Sequence, residues 1–279
     1  MDITKLKIVA DSSSDMMVFN ELNFCSAPLK IITSKNEYVD DENLNVEGMV
    51  NDLLKYSGKS STACPSPDDW ITAFGDSEYI FCVTITSNLS GSYNSACTAK
   101  GLYEEQYPDK KVYVVDSLST GPEMQLIIEK IAEYAKAGME FDDICNAIKD
   151  YCSHTALLFM LESMKNLANN GRVSPFVAKA AGLLGIRVVG KASDVGTLEV
   201  IEKCRGEKKA LPAIVNNMKK IGFNGGKVVI NHCFNPQAAE KLKELILAEF
   251  TNADIRIGTN KGLCSFYAEK GGLLVGFEH

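Results

Sequence analysis

Residues 79–96 read YIFCVTITSNLSGSYNSA and contain the pattern that decides the fold. The apolar run Tyr79–Thr84 has the length and the β-branched and aromatic content of a buried strand, and hydroxyl side chains and a helical pattern follow it. A strand joined to a helix by a polar turn is the repeating unit of α/β proteins. We therefore predict a parallel strand here, with its carboxyl end at a ligand-binding edge of the sheet.

Further strands and helices surround this segment in the pattern of α/β layering. Residues 7–10 and 112–115 are similar apolar runs, and we predict that they are parallel strands of the same sheet. Residues 122–137 have apolar positions at helical spacing, begin after Gly121 and stop at Gly138, which predicts a helix. Ser66, followed by a proline and two aspartates, predicts the N-cap of another helix.

The pattern changes after about residue 155 and indicates a second domain. Asp194, Val195 and Gly196 read as a hairpin turn, which a purely parallel sheet would not contain. We predict an α/β fold of two domains, with residues 1–155 around a mostly parallel sheet and residues 156–279 around a mixed sheet. The expected helices of the second domain are 207–220 and 236–250, and its expected strands are 157–161, 187–190, 197–201, 228–231, 255–258 and 273–277.

Composition and charge exclude several classes of partner. The chain has 279 residues, of which 46% are hydrophobic and 23% charged, so a sizeable core is possible. The net charge of −7 opposes binding to nucleic acid and to anionic lipid surfaces. No apolar run approaches the roughly 20 residues that a membrane span needs, and the start lacks a signal-peptide pattern. We predict a soluble protein without stable membrane insertion.

The cysteines indicate a reducing compartment. There are nine, an odd number, and they are scattered without a C-x-x-C pair. That argues against a disulfide framework and against a structural zinc site, and it favours a cytoplasmic location. We predict no metal and no cofactor.

Hydroxyl side chains are concentrated where the predicted strands of the first domain end. They occur in residues 11–15, 60–66 and 116–117 and in the segment that contains Ser90 and Gly91. Ser90 is well placed to cap the following helix, and Gly91 leaves a backbone N–H open to a ligand oxygen. Four such loops at one sheet edge would form a neutral anion site, although the same residues are also ordinary turn and cap formers.

Six motifs resemble those of the DegV family, bacterial fatty-acid-binding proteins that supply acyl chains to a separate fatty acid kinase. The most specific is LSGSYNSA (89–96), which resembles L-S-G-T-Y-x-S-A. The others are DSSSD (11–15), which resembles D-S-[ST]-x-D, STACPS (61–66), which is similar to T-S-Q-P-S, NGRV (170–173), similar to G-G-R-I, LGIRV (184–188), similar to L-N-I-K-P, and GTNKGLCS (258–265), similar to G-T-H-x-G-P-G-A. In order and spacing they cover nearly the whole chain.

The resemblance implies a fatty acid held between the two domains. Thr62 and Ser90 would hold the carboxylate with the Gly91 backbone close by, and Arg172 would lie near the head group. Arg205 would correspond to a basic position that meets the kinase. For both arginines a solvated or salt-bridged surface position remains the alternative.

Asn260 departs from the family pattern, because the family has a histidine there. Asparagine can donate a hydrogen bond but cannot titrate or carry a positive charge. The expected function is presentation of a fatty acid to a kinase, without catalysis by this chain. Lipid storage or transport without a kinase role stays open as an alternative.

Enzymatic alternatives have weaker support in the sequence. A serine hydrolase based on Ser90 would need a histidine base, but the chain has only three histidines, His279 is its last residue, and no G-x-S-x-G elbow surrounds Ser90. Residues 222–227 and 271–276 match neither a P-loop nor a dinucleotide fingerprint. A scaffold that has lost ligand binding is a further possibility. Candidates for the lining of a tail slot are Phe159, Met160, Leu161, Met164, Phe176, Leu183 and Leu184, all of which could equally be plain core.

Overall fold

The computed structural model describes residues 1–176 and 185–279, and within these ranges the strands form three sheets. The strands are β1 (Leu6–Asp11), β2 (Asn23–Ala27), β3 (Lys30–Ile32), β4 (Glu37–Val39), β5 (Ser61–Ala63), β6 (Tyr79–Thr84), β7 (Lys111–Asp116), β8 (Thr155–Leu161), β9 (Ile186–Ala192), β10 (Leu198–Arg205), β11 (Gly226–His232), β12 (Ala253–Thr259) and β13 (Leu273–Glu278). The α-helices are α1 (Val46–Lys55), α2 (Pro67–Phe74), α3 (Ser92–Gln106), α4 (Pro122–Lys136), α5 (Phe141–Tyr151), α6 (Lys165–Asn169), α7 (Glu207–Ile221), α8 (Pro236–Glu249) and α9 (Gly262–Ala268). Short 3₁₀ helices span Ile3–Lys5, Ser12–Ser14 and Cys152–His154.

The parallel sheet has the strand order β2-β1-β6-β7, which confirms the parallel arrangement predicted for its three longer strands. Ala10 pairs with Val83, and Thr84 pairs with Asp116. The carboxyl ends of β1, β6 and β7 therefore meet at one edge, where the polar turns follow. β2 was not predicted, because its sequence NFCSA is short and half polar.

The small sheet has the order β4-β3-β5, is antiparallel, and was also not predicted. Each of its strands has only three residues, too few for a periodic pattern to appear. Thr62 of β5 pairs with the fully buried Ile31. This pairing fixes the backbone of Thr62 against the core.

The mixed sheet has the order β10-β9-β8-β13-β11-β12, as the second half of the sequence predicts. Only its β11 and β12 strands run parallel among the described pairs. The β9–β10 hairpin is confirmed, with Gly196 at φ +73°, where glycine turns without the steric strain of a side chain. The tip of this hairpin reaches the other half of the chain, since Asn88 Nδ2 donates to the Val195 carbonyl at 2.7 Å.

The starts of α2 and α4 follow the predicted signals. Ser66 caps α2 through a capping box with Asp69, and Pro122 begins α4 directly after Gly121. In the described ranges, no helix combines the length and apolar character needed to cross a membrane.

Helix α4 joins the two halves into a shared core. Its buried residues Met124, Ile127 and Ile131 pack in one cluster with Val229 of β11 and Leu263 of α9. A Cβ added at Gly276 of β13 would lie 2.5 Å from the Glu123 backbone nitrogen, so the helix runs directly against the mixed sheet. The division of the chain at 155/156 remains a prediction.

Candidate binding site

A cavity of about 670 Å³, including its open end, lies between the two halves of the chain. Eleven of its seventeen lining residues are leucine, isoleucine, alanine or phenylalanine, among them Ile85, Leu157, Phe159 and Leu198. The polar remainder comprises Thr62, Ser90, Thr120, Arg172, Cys264 and Tyr267. An apolar cavity with a few polar groups is the usual form of a site for an amphipathic small molecule.

Thr62 is one of these polar lining residues, and it is carried by β5. Its Oγ1 is 2.8 Å from the phenolic oxygen of Tyr267 on α9, which comes from the other half of the chain. Burial raises the pKa of Tyr267, whereas the Thr62 hydroxyl and the charge of Arg172 act in the opposite direction. Tyr267 therefore keeps its proton at neutral pH.

Ser90 and Gly91 lie at the start of α3. The prediction that Ser90 is the N-cap is wrong by one residue, because Gly91 occupies that position. The reason is the preceding turn, in which Ser90 N–H donates to the Thr86 carbonyl at 3.3 Å. The Ser90 hydroxyl still accepts from Ser92 N–H at 3.3 Å and lines the cavity, and Gly91 is exposed beside it.

Asp11 fixes the loop that carries Ser90. This fully buried carboxylate accepts from Ile85 N–H at 2.9 Å and from the Ser92 hydroxyl at 2.6 Å, and burial raises its pKa. The neighbouring Ser12 hydroxyl also has a structural role, because it accepts a hydrogen bond from Leu29 N–H at 3.0 Å. Of the four predicted hydroxyl-rich loops, two therefore supply hydroxyls to the cavity directly, through Thr62 and Ser90.

Arg172 also lines the cavity. Its Nε donates to the Leu89 carbonyl at 3.0 Å, a second guanidinium nitrogen donates to the Asn170 carbonyl, and its guanidinium carbon lies 5.9 Å from the centre of the Tyr267 ring. Leu89 directly precedes Ser90, so its carbonyl holds the Arg172 side chain beside Ser90.

Arg205 and Asn260 lie outside the cavity wall. Arg205 is exposed at the end of β10, roughly 20 Å along the strand from the cavity-lining Leu198. Asn260 is 3% exposed after β12, its backbone N–H donates to the His232 carbonyl at 3.0 Å, and its side chain has no hydrogen bond to the described part of the chain. The structure therefore brings Thr62, Ser90 and Arg172 together and leaves Arg205 apart.

Comparisons with known proteins agree with this architecture. The profile of the DegV family, described as uncharacterised proteins, matches residues 5–278. The chain belongs to the DegV family. A DegV domain-containing protein of Streptococcus pneumoniae (strain ATCC BAA-255 / R6) is 44% identical over 276 residues, which covers 98% of each chain.

Two solved DegV structures are close to this one. A DegV family protein from Eubacterium eligens, loaded with heptadecanoic acid, is 44% identical and superimposes with a TM-score of 0.96, covering 98% of this chain and 99% of that one. The Streptococcus pneumoniae Fatty Acid Kinase (Fak) B3 protein, loaded with linoleic acid, is 43% identical with the same TM-score and coverage.

In this DegV family member, two buried carboxylates hold the start of α9 and thereby part of the cavity wall. Asp15 accepts from Lys261 N–H at 2.6 Å and from Asn231 Nδ2 at 3.0 Å. Asp40 accepts from the backbone N–H groups of Gly262 and Leu263 at 2.7 and 2.9 Å. Burial raises the pKa of Asp15 to about 7 and that of Asp40 to about 6. Sequence reasoning missed Asp40 and Tyr267, which carry no local signal.

The residues predicted as candidates for the lining of the tail slot lie in different parts of the structure. Phe159 and Leu161 line the cavity, whereas Met160 and Met164 are buried elsewhere in the core. Phe176 is 86% exposed, and Leu183 and Leu184 lie outside the described residues. Within the described ranges, no group of three or more histidine, cysteine or acidic side chains is arranged to hold a metal ion.

Proposed function

We propose that this protein binds one long-chain fatty acid between its two halves. The observation that carries the proposal is that two neutral hydroxyls, those of Thr62 and Ser90, are among the few polar groups of a mostly apolar cavity wall. A carboxylate at these hydroxyls, with the Gly91 backbone nearby, directs the tail along the leucines. The relatives loaded with heptadecanoic and linoleic acid support the same ligand class.

The tail supplies most of the affinity in this arrangement. About 14 buried methylenes at about 0.8 kcal/mol each give on the order of 11 kcal/mol before association costs. A hydrogen bond from a hydroxyl contributes about 1 kcal/mol net. The head contacts therefore mainly decide which end of the fatty acid is held at Thr62 and Ser90.

Neutral head contacts suit a carboxylate that must react afterwards. Two of the Arg172 donor groups are already directed at carbonyls, of Leu89 and Asn170, so that Arg172 shapes the loop around Ser90. A bidentate arginine would cover the oxygens of the ligand and carry a large desolvation cost. Hydroxyl donors leave an oxygen accessible to a second protein.

We infer that this second protein is a fatty acid kinase, to which the chain presents its ligand. The similarity to the Fak B3 protein supports this role, and the exposed Arg205 is the proposed position on the side of the partner. Catalysis by Ser90 itself is not proposed, since no histidine in the described ranges contacts its hydroxyl. All nine cysteines are free thiols, which supports a cytoplasmic site of action.

Extraction of the purified protein with organic solvent, followed by mass spectrometry, tests the ligand. We expect one fatty acid per chain, and the delipidated protein should take up added oleate with the same stoichiometry. An empty extract together with no uptake would overturn fatty acid binding. Incubating the loaded protein with a fatty acid kinase and ATP then tests presentation, with acyl phosphate as the expected product.

A further inference from the structure

We propose that Tyr267 is a positioning residue that directs the Thr62 hydroxyl proton towards the ligand carboxylate. The inference rests on the proposed function, because it assigns how one of the two head-group hydroxyls is held. Nothing in the sequence motifs points to Tyr267, which reaches Thr62 across 205 residues of chain.

The two side chains are at hydrogen-bond distance, and neighbouring structure holds each of them in place. The Tyr267 oxygen lies 2.8 Å from Thr62 Oγ1, and both residues line the cavity. On one side, the backbone of Thr62 is fixed by the pairing of β5 with β3. On the other, Asp40 holds the first turn of α9, and Tyr267 packs edge-on against Phe266 at 4.8 Å between ring centres.

The number of protons decides the direction of this hydrogen bond when a fatty acid is bound. A carboxylate only accepts, so Thr62 must use its single hydroxyl proton to donate to it. Thr62 Oγ1 then has only lone pairs left for Tyr267, and the phenol must donate. A phenol that donates to Thr62 therefore aligns the threonine proton with the ligand and polarises it, as in other hydrogen-bond chains.

Arg172 favours the same direction. Its guanidinium faces the Tyr267 ring at 5.9 Å, so the positive charge increases the donor strength of the phenol. Because burial raises the pKa of Tyr267, the donor proton is retained through the neutral range. In the hydrogen-bond series from Tyr267 to Thr62 to the ligand carboxylate, each acceptor thus has one donor.

A double-mutant cycle tests the inference. Oleate affinity is measured by titration calorimetry on delipidated wild type, Tyr267→Phe, Thr62→Val and the double variant. We expect Tyr267→Phe to raise Kd about five-fold in the wild-type background and to leave it unchanged in the Thr62→Val background. The matched control is Tyr38→Phe, which removes an exposed tyrosine hydroxyl bonded to Asp52 and should leave Kd unchanged.

A spectroscopic measurement separates positioning from simple packing. With tyrosine labelled at the ζ carbon, the Tyr267 resonance should shift markedly more on oleate binding in wild type than in Thr62→Val. An unchanged Kd in Tyr267→Phe, or an equal loss in both Thr62 backgrounds, would overturn the inference while fatty acid binding stands. A wild-type protein that takes up no oleate overturns the proposed function and this inference together.

Discussion

At the scale of single residues, the hydroxyls of Thr62 and Ser90 are held in place by neighbouring protein groups. Ser90 already accepts from Ser92 N–H and Thr62 already contacts Tyr267, so each hydroxyl is oriented and retains capacity for one more partner. Asp11, Asp15 and Asp40 are buried acids that hold the surrounding loops through backbone N–H groups. Three buried acids thus hold the loops around these two hydroxyls.

Ser90→Ala tests the division between head and tail. We expect the free energy of oleate binding to weaken by about 1 kcal/mol, roughly a five-fold rise in Kd, because one hydrogen bond is lost and the tail contacts remain. Titration calorimetry measures the change, and Ser153→Ala, which removes an exposed hydroxyl bonded to Asp150, is the control. Complete loss of binding in Ser90→Ala would contradict the assignment of most affinity to the tail.

The pH dependence of the stability of the variant Asp15→Asn tests whether the pKa of this buried carboxylate is raised. The folded-state pKa of about 7 is above the ordinary value of 3.8, so between these values the native state binds a proton that the unfolded state has released. This contribution to stability is full below about pH 4 and is lost as the pH rises towards 7. We expect the variant to gain stability relative to wild type over that range, measured by urea unfolding at several pH values. Parallel stability curves for the two proteins would refute the raised pKa.

At the scale of secondary structure, two elements shape the cavity although they carry neither Thr62 nor Ser90. Helix α9 contributes Leu263, Cys264 and Tyr267 to the wall, and β9 leaves room for the ring of Phe159 where it carries Gly190. A Cβ at Gly190 would overlap that ring and lie 2.5 Å from the Glu199 carbonyl oxygen. Glycine is required there by close packing of side chain and backbone.

Gly190→Ala is therefore expected to push Phe159 into the cavity. The fold should lose about 1–3 kcal/mol from overpacking, and affinity should fall more for octadecanoic than for tetradecanoic acid because the slot is shortened. Gly101→Ala in α3, where a Cβ meets nothing within 4 Å, is the matched control and should preserve both affinities. Urea unfolding and titration calorimetry give the two readouts. An equal loss for both acids would argue against a shortened slot.

The accuracy of the sequence predictions depended on how local each signal was. The long apolar strands β1, β6 and β8 and the capped helix α2 were predicted correctly, because their patterns lie within one segment. The three-residue strands of the small sheet have no period to detect. Asp40 meets Gly262 across 222 residues, and that contact could not be read from either segment alone.

At the scale of the whole molecule, the cavity and the core are shared by both halves. The cavity wall takes residues from before and after residue 155, and α4 packs against the mixed sheet while belonging to the first half. Trp70, the single tryptophan of the sequence, is fully buried in α2 far along the chain from the second half. It offers a local probe of the first half alone.

Ligand binding should therefore stabilise both halves together. Oleate at about 100 times its Kd is expected to add about 2.7 kcal/mol to the free energy of unfolding. Trp70 fluorescence and far-ultraviolet circular dichroism should shift to higher urea by the same amount, since one cooperative unit unfolds. Two separate transitions, or a shift in only one signal, would mean that the halves unfold independently.

The position of strand β13 in the mixed sheet affects how this sheet can form while the protein is being synthesised. It lies between β8 and β11 and pairs antiparallel with both, although the ribosome makes it after every other strand of the sheet. Until Leu273–Glu278 has emerged, β8 and β11 each present an unpaired, apolar edge, which is the kind of surface that aggregates or recruits chaperones. The mixed sheet, and with it the wall of the cavity, can therefore close only after translation of that strand, and no fatty acid can be enclosed by a partly made chain.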